Sequence, residues 1–354
     1  MKTFFRIAAL LVCACLLLSP LPVRAAPAPR PECAYNPAVA EILGRTSGQR
    51  WLDWVEKLSG KQFVTIDGDP FSITSRDTQS MFSGRENARA FDYVEQTVRS
   101  WVDADQIEKD AYSEMNGLPW YNLIVTFPGK VYPDEIVVLA GHLDSKSETK
   151  PLTQAPGADD NATGAAALLE AVRIFRDYRF ERTVQVIFFT GEEWGMLGSS
   201  AYVEDHDVSK IVAVFNMDMF GFDGDGDRCF EIHAGKLPAS MRAANCVTQG
   251  IDAYNLDLHA EVVQDGARGF SDHGSFWQVD TGAVLLMENF FRQDVPGGCG
   301  WQDANPNYHS TTDTVEALSV SYGFDIARAG IAAAAGLAGA QRPVLRWNNI
   351  WKSY

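Results

Sequence analysis

Basic side chains are scarce in this chain of 354 residues, where 30 lysines and arginines face 46 acidic groups for a formal net charge of -16. Nucleic acid and anionic membrane surfaces reward clustered Lys and Arg, so neither is an expected partner. Long hydrophobic runs are also missing beyond the N-terminus. The single candidate, Ile7 to Leu18, follows Lys2 and Arg6, is too short for an ordinary membrane span, and precedes the small-residue site Val23-Arg24-Ala25. That pattern is a secretory signal peptide over residues 1–25, cleaved near Ala25 or Ala26, and it predicts a secreted or periplasmic protein. No mature cysteine sits in a CxxC spacing or beside a histidine, which argues against thiolate metal sites and redox motifs. Cys33, Cys229, Cys246 and Cys299 remain after cleavage, an even number in an oxidising compartment. Three pairings are open; Cys229 with Cys246 closes the shorter loop and is preferred, leaving Cys33 with Cys299.

What is present is a chain with 46% hydrophobic residues, enough for one large core. A Pro/Ala-rich leader covers residues 26–32, and no linker or internal repeat divides residues 33–354, which are expected to form one catalytic domain. Helical spacing marks Gln49 to Leu58, and Ser83-Gly84-Arg85-Glu86 is a capping box opening another helix. Short apolar strands then alternate with helical patterns: strands at Tyr121–Phe127, Glu135–Ala140, Thr183–Thr190, Ile211–Met217, Phe230–His233 and Ala283–Met287, with helices at Gly164–Tyr178, Pro238–Gly250 and Tyr322–Gly339 among them. Continuous apolar strands between helices imply a mostly parallel sheet covered on both faces, an α/β fold.

In such sheets ligands bind beyond the carboxyl ends of the strands. Four strands here run into polar segments: Gly141-His142-Leu143-Asp144, Thr190-Gly191-Glu192-Glu193, Asn216-Met217-Asp218 and Met287-Glu288. Between the first two lies Gly157-Ala158-Asp159-Asp160-Asn161-Ala162-Thr163-Gly164, an acidic turn bounded by glycines. His142, Asp159, Glu193, Asp218 and the later His309 would suit two cations roughly 3.5 to 4 Å apart, with one carboxylate shared between them. Taken singly, each has an ordinary reading as a solvated loop residue or a helix-terminal acid. Their occurrence together at strand ends is what points to hydrolytic metal chemistry.

These blocks, with Gly191-Glu192-Glu193-Trp194-Gly195-Met196-Leu197-Gly198-Ser199 and His309 followed by Asp313-Thr314, resemble metallopeptidase family 28, whose best-known members are bacterial secreted di-zinc leucyl aminopeptidases. The resemblance runs from about Trp51 to Gly339. It implies a phosphorylase/hydrolase-like three-layer sandwich around a central mixed, mostly parallel sheet. It implies two Zn2+ per chain, with His142 and Asp218 on one, Glu193 and His309 on the other, and Asp159 bridging. It makes Glu192 the general base and Asp144 the carboxylate that orients His142. The Asp159-Asp160 peptide is expected to be cis. A zinc-bound water, its pKa lowered from roughly 15.7 to about 7, would be the nucleophile, and the substrates would be peptides with a free N-terminus.

Met219, Phe220, Phe270, Met287 and Tyr308 are candidates for an apolar substrate pocket, as are Phe222 and Phe290; core packing is an equally ordinary reading of each. Some relatives carry a disulfide before Ser271-Asp272-His273, where this chain has none and instead has Arg268, which could bind a substrate carboxylate or face water. Asp223-Gly224-Asp225-Gly226-Asp227 alternates like a calcium loop but has Ala234 where an EF-hand needs Glu, so a plain acidic turn is expected. Asp272 and His273 are expected to support the site, and His206, His233 and His259 to be structural. The alternatives to an aminopeptidase are a single-zinc glutaminyl cyclase or a carboxypeptidase on the same fold, or an inactive zinc-binding protein. The oligomeric state and the physiological substrate are left open by the sequence.

Overall fold

A computed structural model describes residues 33–78, 86–115, 118–291 and 298–342. The signal segment, the leader and the Ser83 to Arg85 part of the capping box lie outside the described residues. In chain order the strands used below are β1 (Val64–Ile66), β2 (Asp69–Phe71), β3 (Ile107–Met115), β4 (Leu118–Phe127), β5 (Tyr132–His142), β6 (Arg179–Phe180), β7 (Arg182–Phe189), β8 (Ile211–Met217), β9 (Cys229–His233), β10 (His259–Val263) and β11 (Ala283–Glu288). The helices are α1 (Pro37–Gly44), α2 (Gly48–Leu58), α3 (Glu86–Arg99), α4 (Gly164–Phe175), α5 (Leu197–Asp205), α6 (Pro238–Tyr254), α7 (His273–Trp277) and α8 (Val320–Leu337).

The main sheet has eight strands in the order β10-β9-β11-β8-β5-β7-β4-β3. β11, β8, β5 and β7 form a parallel block, while β9 joins β11, and β4 joins β7, in antiparallel pairs. This is the expected mixed α/β sheet. Its continuous apolar strands have a simple cause. Val137 and Leu139 of β5, Val184, Val186 and Phe188 of β7, and Ala213, Phe215 and Met217 of β8 enter one core with α2, α4, α6 and α8. Their neighbours Val138, Ala140, Ile187, Phe189 and Val214 enter a second core with Tyr202 of α5 and Phe276 of α7. Successive side chains point to opposite faces, so a strand buried on both sides has no polar position to spare.

Elements with a polar face were the ones without a visible apolar signal. β3 is the edge strand, and its sequence Ile107-Glu108-Lys109-Asp110 carries the charges that keep a sheet edge from pairing with another chain. β10, with only Val262 and Val263 as large apolar residues, pairs in parallel with β9 at the other edge. No helix among the described residues is long and apolar enough to cross a membrane.

The disulfides join Cys33 to Cys246 and Cys229 to Cys299, which corrects the expected pairing. Strand alternation supplies the reason. Phe230 and Ile232 of β9 point into the core covered by α6, where Cys246 sits with Cys33. Cys229, one residue before Phe230, points to the opposite face and meets the loop after β11 instead. Proximity in sequence was therefore a poor guide.

One buried side chain ties three segments beneath the carboxyl rim of the sheet. Arg76 is fully buried and donates from Nε to Leu143 O at 2.8 Å, from Nη1 to Leu58 O and Pro156 O at 2.6 Å each, and from Nη2 to Gly157 O at 2.8 Å. Burial lowers its pKa to about 10, with Asp313 and Asp160 opposing the shift, so it remains charged at neutral pH. Replacement by Met would leave the carbonyls of Leu58, Leu143 and Pro156 without donors, each costing about 1 to 3 kcal/mol if it stays dry, while Gly157 O keeps the amide of Ala162. Arg76→Met should lower unfolding stability by about 3 to 5 kcal/mol in urea titrations, and Arg76→Lys should not restore it, since one ammonium cannot span the four acceptors. A loss below about 1 kcal/mol would contradict this role.

Candidate metal centre and active site

The parallel block delivers its carboxyl ends to one rim, and the polar segments gather there. His142 closes β5 and is 1% exposed. Its Nδ1 faces Asp144 O at 3.1 Å and Asp144 Oδ1 at 3.5 Å, so Nδ1 carries the donated proton and Nε2 is turned to the carboxylates. Nε2 lies 3.0 Å from Asp218 Oδ1 and 3.3 Å from Asp160 Oδ1. Across the cluster, His309 Nε2 lies 2.9 Å from Glu193 Oε2 and 3.2 Å from Asp160 Oδ2. The ring of Tyr308 stacks on His309 with centroids 3.7 Å apart.

Asp160, not Asp159, is therefore the carboxylate that faces both histidines, one oxygen to each. This corrects the sequence-based assignment. Asp159 is also fully buried, but its oxygens are occupied: Oδ1 accepts from Gly221 N at 2.6 Å and Oδ2 from Asn305 Nδ2 at 2.7 Å. Asp313 holds the turn by accepting from Asp159 N at 2.9 Å and Asp160 N at 3.1 Å. The cis peptide follows the same shift of one residue, standing between Asp160 and Asn161 rather than between Asp159 and Asp160. Two adjacent aspartates are chemically equivalent in a sequence, and only the path of the turn decides which one looks inward.

The remaining expected residues sit as follows. Asp218 Oδ2 accepts from Ser271 Oγ at 2.6 Å, a contact that no sequence signal announced. Asp144 accepts from Glu192 N at 3.3 Å, Glu193 N at 3.2 Å and Thr78 Oγ1 at 2.5 Å, so it holds the Glu192-Glu193 turn as well as facing His142. The Glu192 carboxylate lies 3.9 Å from His142 Nε2. Burial pushes its pKa well above the ordinary carboxylate range; His142 opposes the shift, and Asp218 and Glu193 add to it. Glu193 is pushed up to about 7, by burial and then by Asp160, against His309. Burial would depress both imidazoles, but the carboxylates prevail: His142 is raised well above its ordinary value, and His309 to about 10.

The shifts arise because the acids crowd together with two imidazoles as the cations in contact. Two ligand sets, His142 with Asp160 and Asp218, and Asp160 with Glu193 and His309, each bring their donor atoms within 4.8 Å of one another and share Asp160. Glu193 Oε1 is buried with no hydrogen-bond partner. Imidazole and carboxylate donors at this density, with a buried orphan oxygen among them, fit divalent cations of the zinc type.

Beside the cluster a small cavity of about 70 Å³ is lined by Met219, Leu285, Met287, Phe290, Phe291 and Arg268, with Phe270 and Tyr308 also at its wall. Met219, Leu285 and Met287 pack together and are buried, whereas Phe270 is 72% and Tyr308 40% exposed at the mouth. Phe220 is not part of the pocket. It is fully buried in the main core and stacks on Trp51 with centroids 6.5 Å apart, because Met219 adopts φ +52 and turns the next residue away. The acidic turn at Asp223 is closed by its own backbone: Asp227 Oδ1 accepts from Cys229 N at 2.8 Å, and Asp303 caps Gly224 and Asp225.

Comparison with known proteins bears on this geometry. The family model described as peptidase family M28 matches residues 122–332. A probable leucine aminopeptidase of Trichophyton verrucosum is 28% identical over 228 residues, 61% of this chain and 57% of the relative. The probable lipoprotein aminopeptidase LpqL of Mycobacterium tuberculosis is 32% identical over 219 residues, 57% of this chain and 42% of the relative. The chain thus spans about half the length of the curated relatives it matches. Among solved structures, the LapA aminopeptidase of Legionella pneumophila superposes with a TM-score of 0.67 at 18% identity, covering 92% of this chain and 79% of that one. A glutaminyl cyclase of Bacteroides thetaiotaomicron gives 0.56 at 14% identity, covering 81% and 97%; at such identities the likeness is one of fold. Because the family match extends from within β4 into α8, and so contains every acid and histidine gathered at the rim, the chain belongs to peptidase family M28.

Proposed function

We propose that this chain is an exported aminopeptidase, with residues 33–354 as one catalytic domain, that removes the N-terminal residue from peptides. His142 and Asp218 would hold one zinc ion, Glu193 and His309 a second, and Asp160 both. The observation that carries this reading is Asp160, whose two carboxylate oxygens face one histidine each at 3.3 and 3.2 Å. Zinc at such a pair supplies Lewis acidity toward a carbonyl and makes water a stronger acid near neutral pH. The aminopeptidase relatives support the substrate class.

The chain's own residues define the rest. Glu192 is the general base: it takes the proton of the attacking water and returns it to the leaving amine. Its side chain is 10% exposed, and in so dry a place a carboxylate has a higher proton affinity than one in solvent. Asp144 fixes it by accepting the amide protons of Glu192 and Glu193, which sets where the Glu192 side chain starts. The same metal set would receive the free α-amine of a substrate, a group that a blocked N-terminus cannot offer. The buried Met219, Leu285 and Met287 favour an apolar side chain beside it.

A cyclase on this fold would work with one zinc, and two ligand sets sharing Asp160 favour the hydrolase. Metal analysis separates the two: about two zinc ions per chain are expected, and a value near one supports the cyclase. Glu192→Gln should retain metal and lower the rate of leucine release from a chromogenic amide by roughly 10²- to 10⁴-fold. Activity within threefold of the parent would exclude Glu192 as the base. The two aspartates of the turn should also part ways. Asp160→Asn should lose both metals on dialysis, while Asp159→Asn should keep them and lose thermal stability instead; the reverse pattern would restore Asp159 as the bridge.

A further inference from the structure

The cavity beside the candidate metal centre has an apolar floor, yet one strong cation stands at its mouth. Arg268 is exposed and is the only lysine or arginine among the residues that line this cavity. Its guanidinium carbon lies 5.5 Å from the centroid of the Phe291 ring, and Phe291 lines the same cavity. Arg268 thus reaches the cavity with its guanidinium against an aromatic ring, which leaves its N–H donors in the plane of the fork for a ligand.

An exposed arginine is usually a solvated one. The backbone beneath Arg268 departs from that pattern. Its amide donates to His233 Nδ1 at 2.9 Å, and its carbonyl accepts from His273 Nε2 at 2.7 Å. Both histidines are fully buried, and burial holds their pKa values down, at about 4 for His233 and about 3 for His273, so both are neutral. His233 Nδ1 accepts, which leaves its proton on Nε2 for Glu231 Oε2 at 2.6 Å. Glu231 is buried as well, and its other oxygen accepts from Phe291 N at 3.0 Å. One buried carboxylate therefore fixes the main chain of Phe291 directly and that of Arg268 through His233. Holding both partners of a cation–aromatic contact in this way reduces the side-chain freedom lost on binding a ligand.

We propose that Arg268 is a specificity-determining residue that pairs with a carboxylate of the substrate, and that Glu231, His233 and His273 are positioning residues for it. The proposal rests on the aminopeptidase reading above. The guanidinium offers a planar fork of donors that matches a carboxylate. Two parts of a short peptide could supply that group: an acidic side chain on the N-terminal residue, or the C-terminal carboxylate of a dipeptide.

The test uses the full-length zinc-loaded enzyme and its Arg268→Met and Arg268→Lys variants, comparing two isosteric pairs within each protein. The first pair is the glutamyl and glutaminyl p-nitroanilides, and the second is Leu-Gly and Leu-Gly-amide. In Arg268→Met the kcat/KM ratio of carboxylate to amide should fall about tenfold in one pair, chiefly through KM, and Arg268→Lys should recover part of it. A fall in the anilide pair assigns the side chain, and a fall in the dipeptide pair assigns the terminus. Ratios unchanged in both pairs overturn the proposal, even if absolute rates drop. A parent enzyme that cleaves none of the four compounds sinks the aminopeptidase reading itself and the proposal with it.

Discussion

The constraint on which this structure depends is the accommodation of many carboxylates at one buried rim with few basic side chains in reach. Burial of an unpaired carboxylate is costly, and the fold answers it in two tiers. In the outer tier the acids accept hydrogen bonds from backbone and amide donors. Asp144 takes the amides of Glu192 and Glu193, Asp313 those of Asp159 and Asp160, Asp159 that of Gly221, and Glu288 that of Phe222. In the inner tier Asp160, Glu193 and Asp218 turn their oxygens to His142 and His309. The outer acids thus spend their charge on holding loops, and the inner acids keep theirs for cations.

The turn from Gly157 to Gly164 shows how tightly this division is built. Gly157 has φ +51, and a Cβ there would lie 2.3 Å from Asp160 O. A Cβ on Gly164 would lie 2.4 Å from both Asn161 Oδ1 and Met217 O. The turn can be this close to β8 only because both ends lack side chains. Asn161 fills the space between, donating from Nδ2 to Met217 O at 2.9 Å and accepting from Gly164 N at 2.9 Å. Arg76 ties the far side of the same turn through Pro156 O and Gly157 O. Asp160 is therefore aimed by contacts on both flanks and not by its own rotamer alone.

What the sequence disclosed and what it hid divide along the same physical line. Strands buried on both faces advertise themselves as apolar runs, so β5, β7, β8 and β11 were legible, and with them the rim where His142, Glu193 and Asp218 stand. The edges β3 and β10 were not, since a half-exposed strand need not be apolar. The choice of Asp160 over Asp159, the pairing of Cys229 with Cys299, and the burial of Phe220 all depend on which way one residue points relative to its neighbour. A sequence gives that orientation within a regular strand, where alternation is fixed, and loses it at a turn such as Met219 with φ +52. Arg76 was invisible for a further reason: its partners are carbonyls from three distant segments, and backbone acceptors leave no mark in composition.

The two halves of the sheet also carry separable tasks. Most ligand candidates come from the ends of the parallel strands β5, β7 and β8 and from the turn before α4, where a shift of any one strand would disturb the others through shared hydrogen bonds; His309 comes from the loop after β11. The cavity wall comes largely from the outer side of the block: β11, which pairs in parallel with β8 and antiparallel with β9, the segment Asn289 to Phe291, and the loop that carries Arg268 and Phe270. That side is held by its own devices, the Glu231–His233 pair beneath Arg268 and Phe291 and the Cys229–Cys299 disulfide beside them. This side touches the metal set at two points, the Ser271 hydroxyl on Asp218 and the Tyr308 ring stacked on His309. Most of the ligand candidates thus stand on the rigid parallel block, while the cavity wall is held beside it by a buried pair and a disulfide of its own, the arrangement in which the residues of a wall can differ with least disturbance to the groups it flanks.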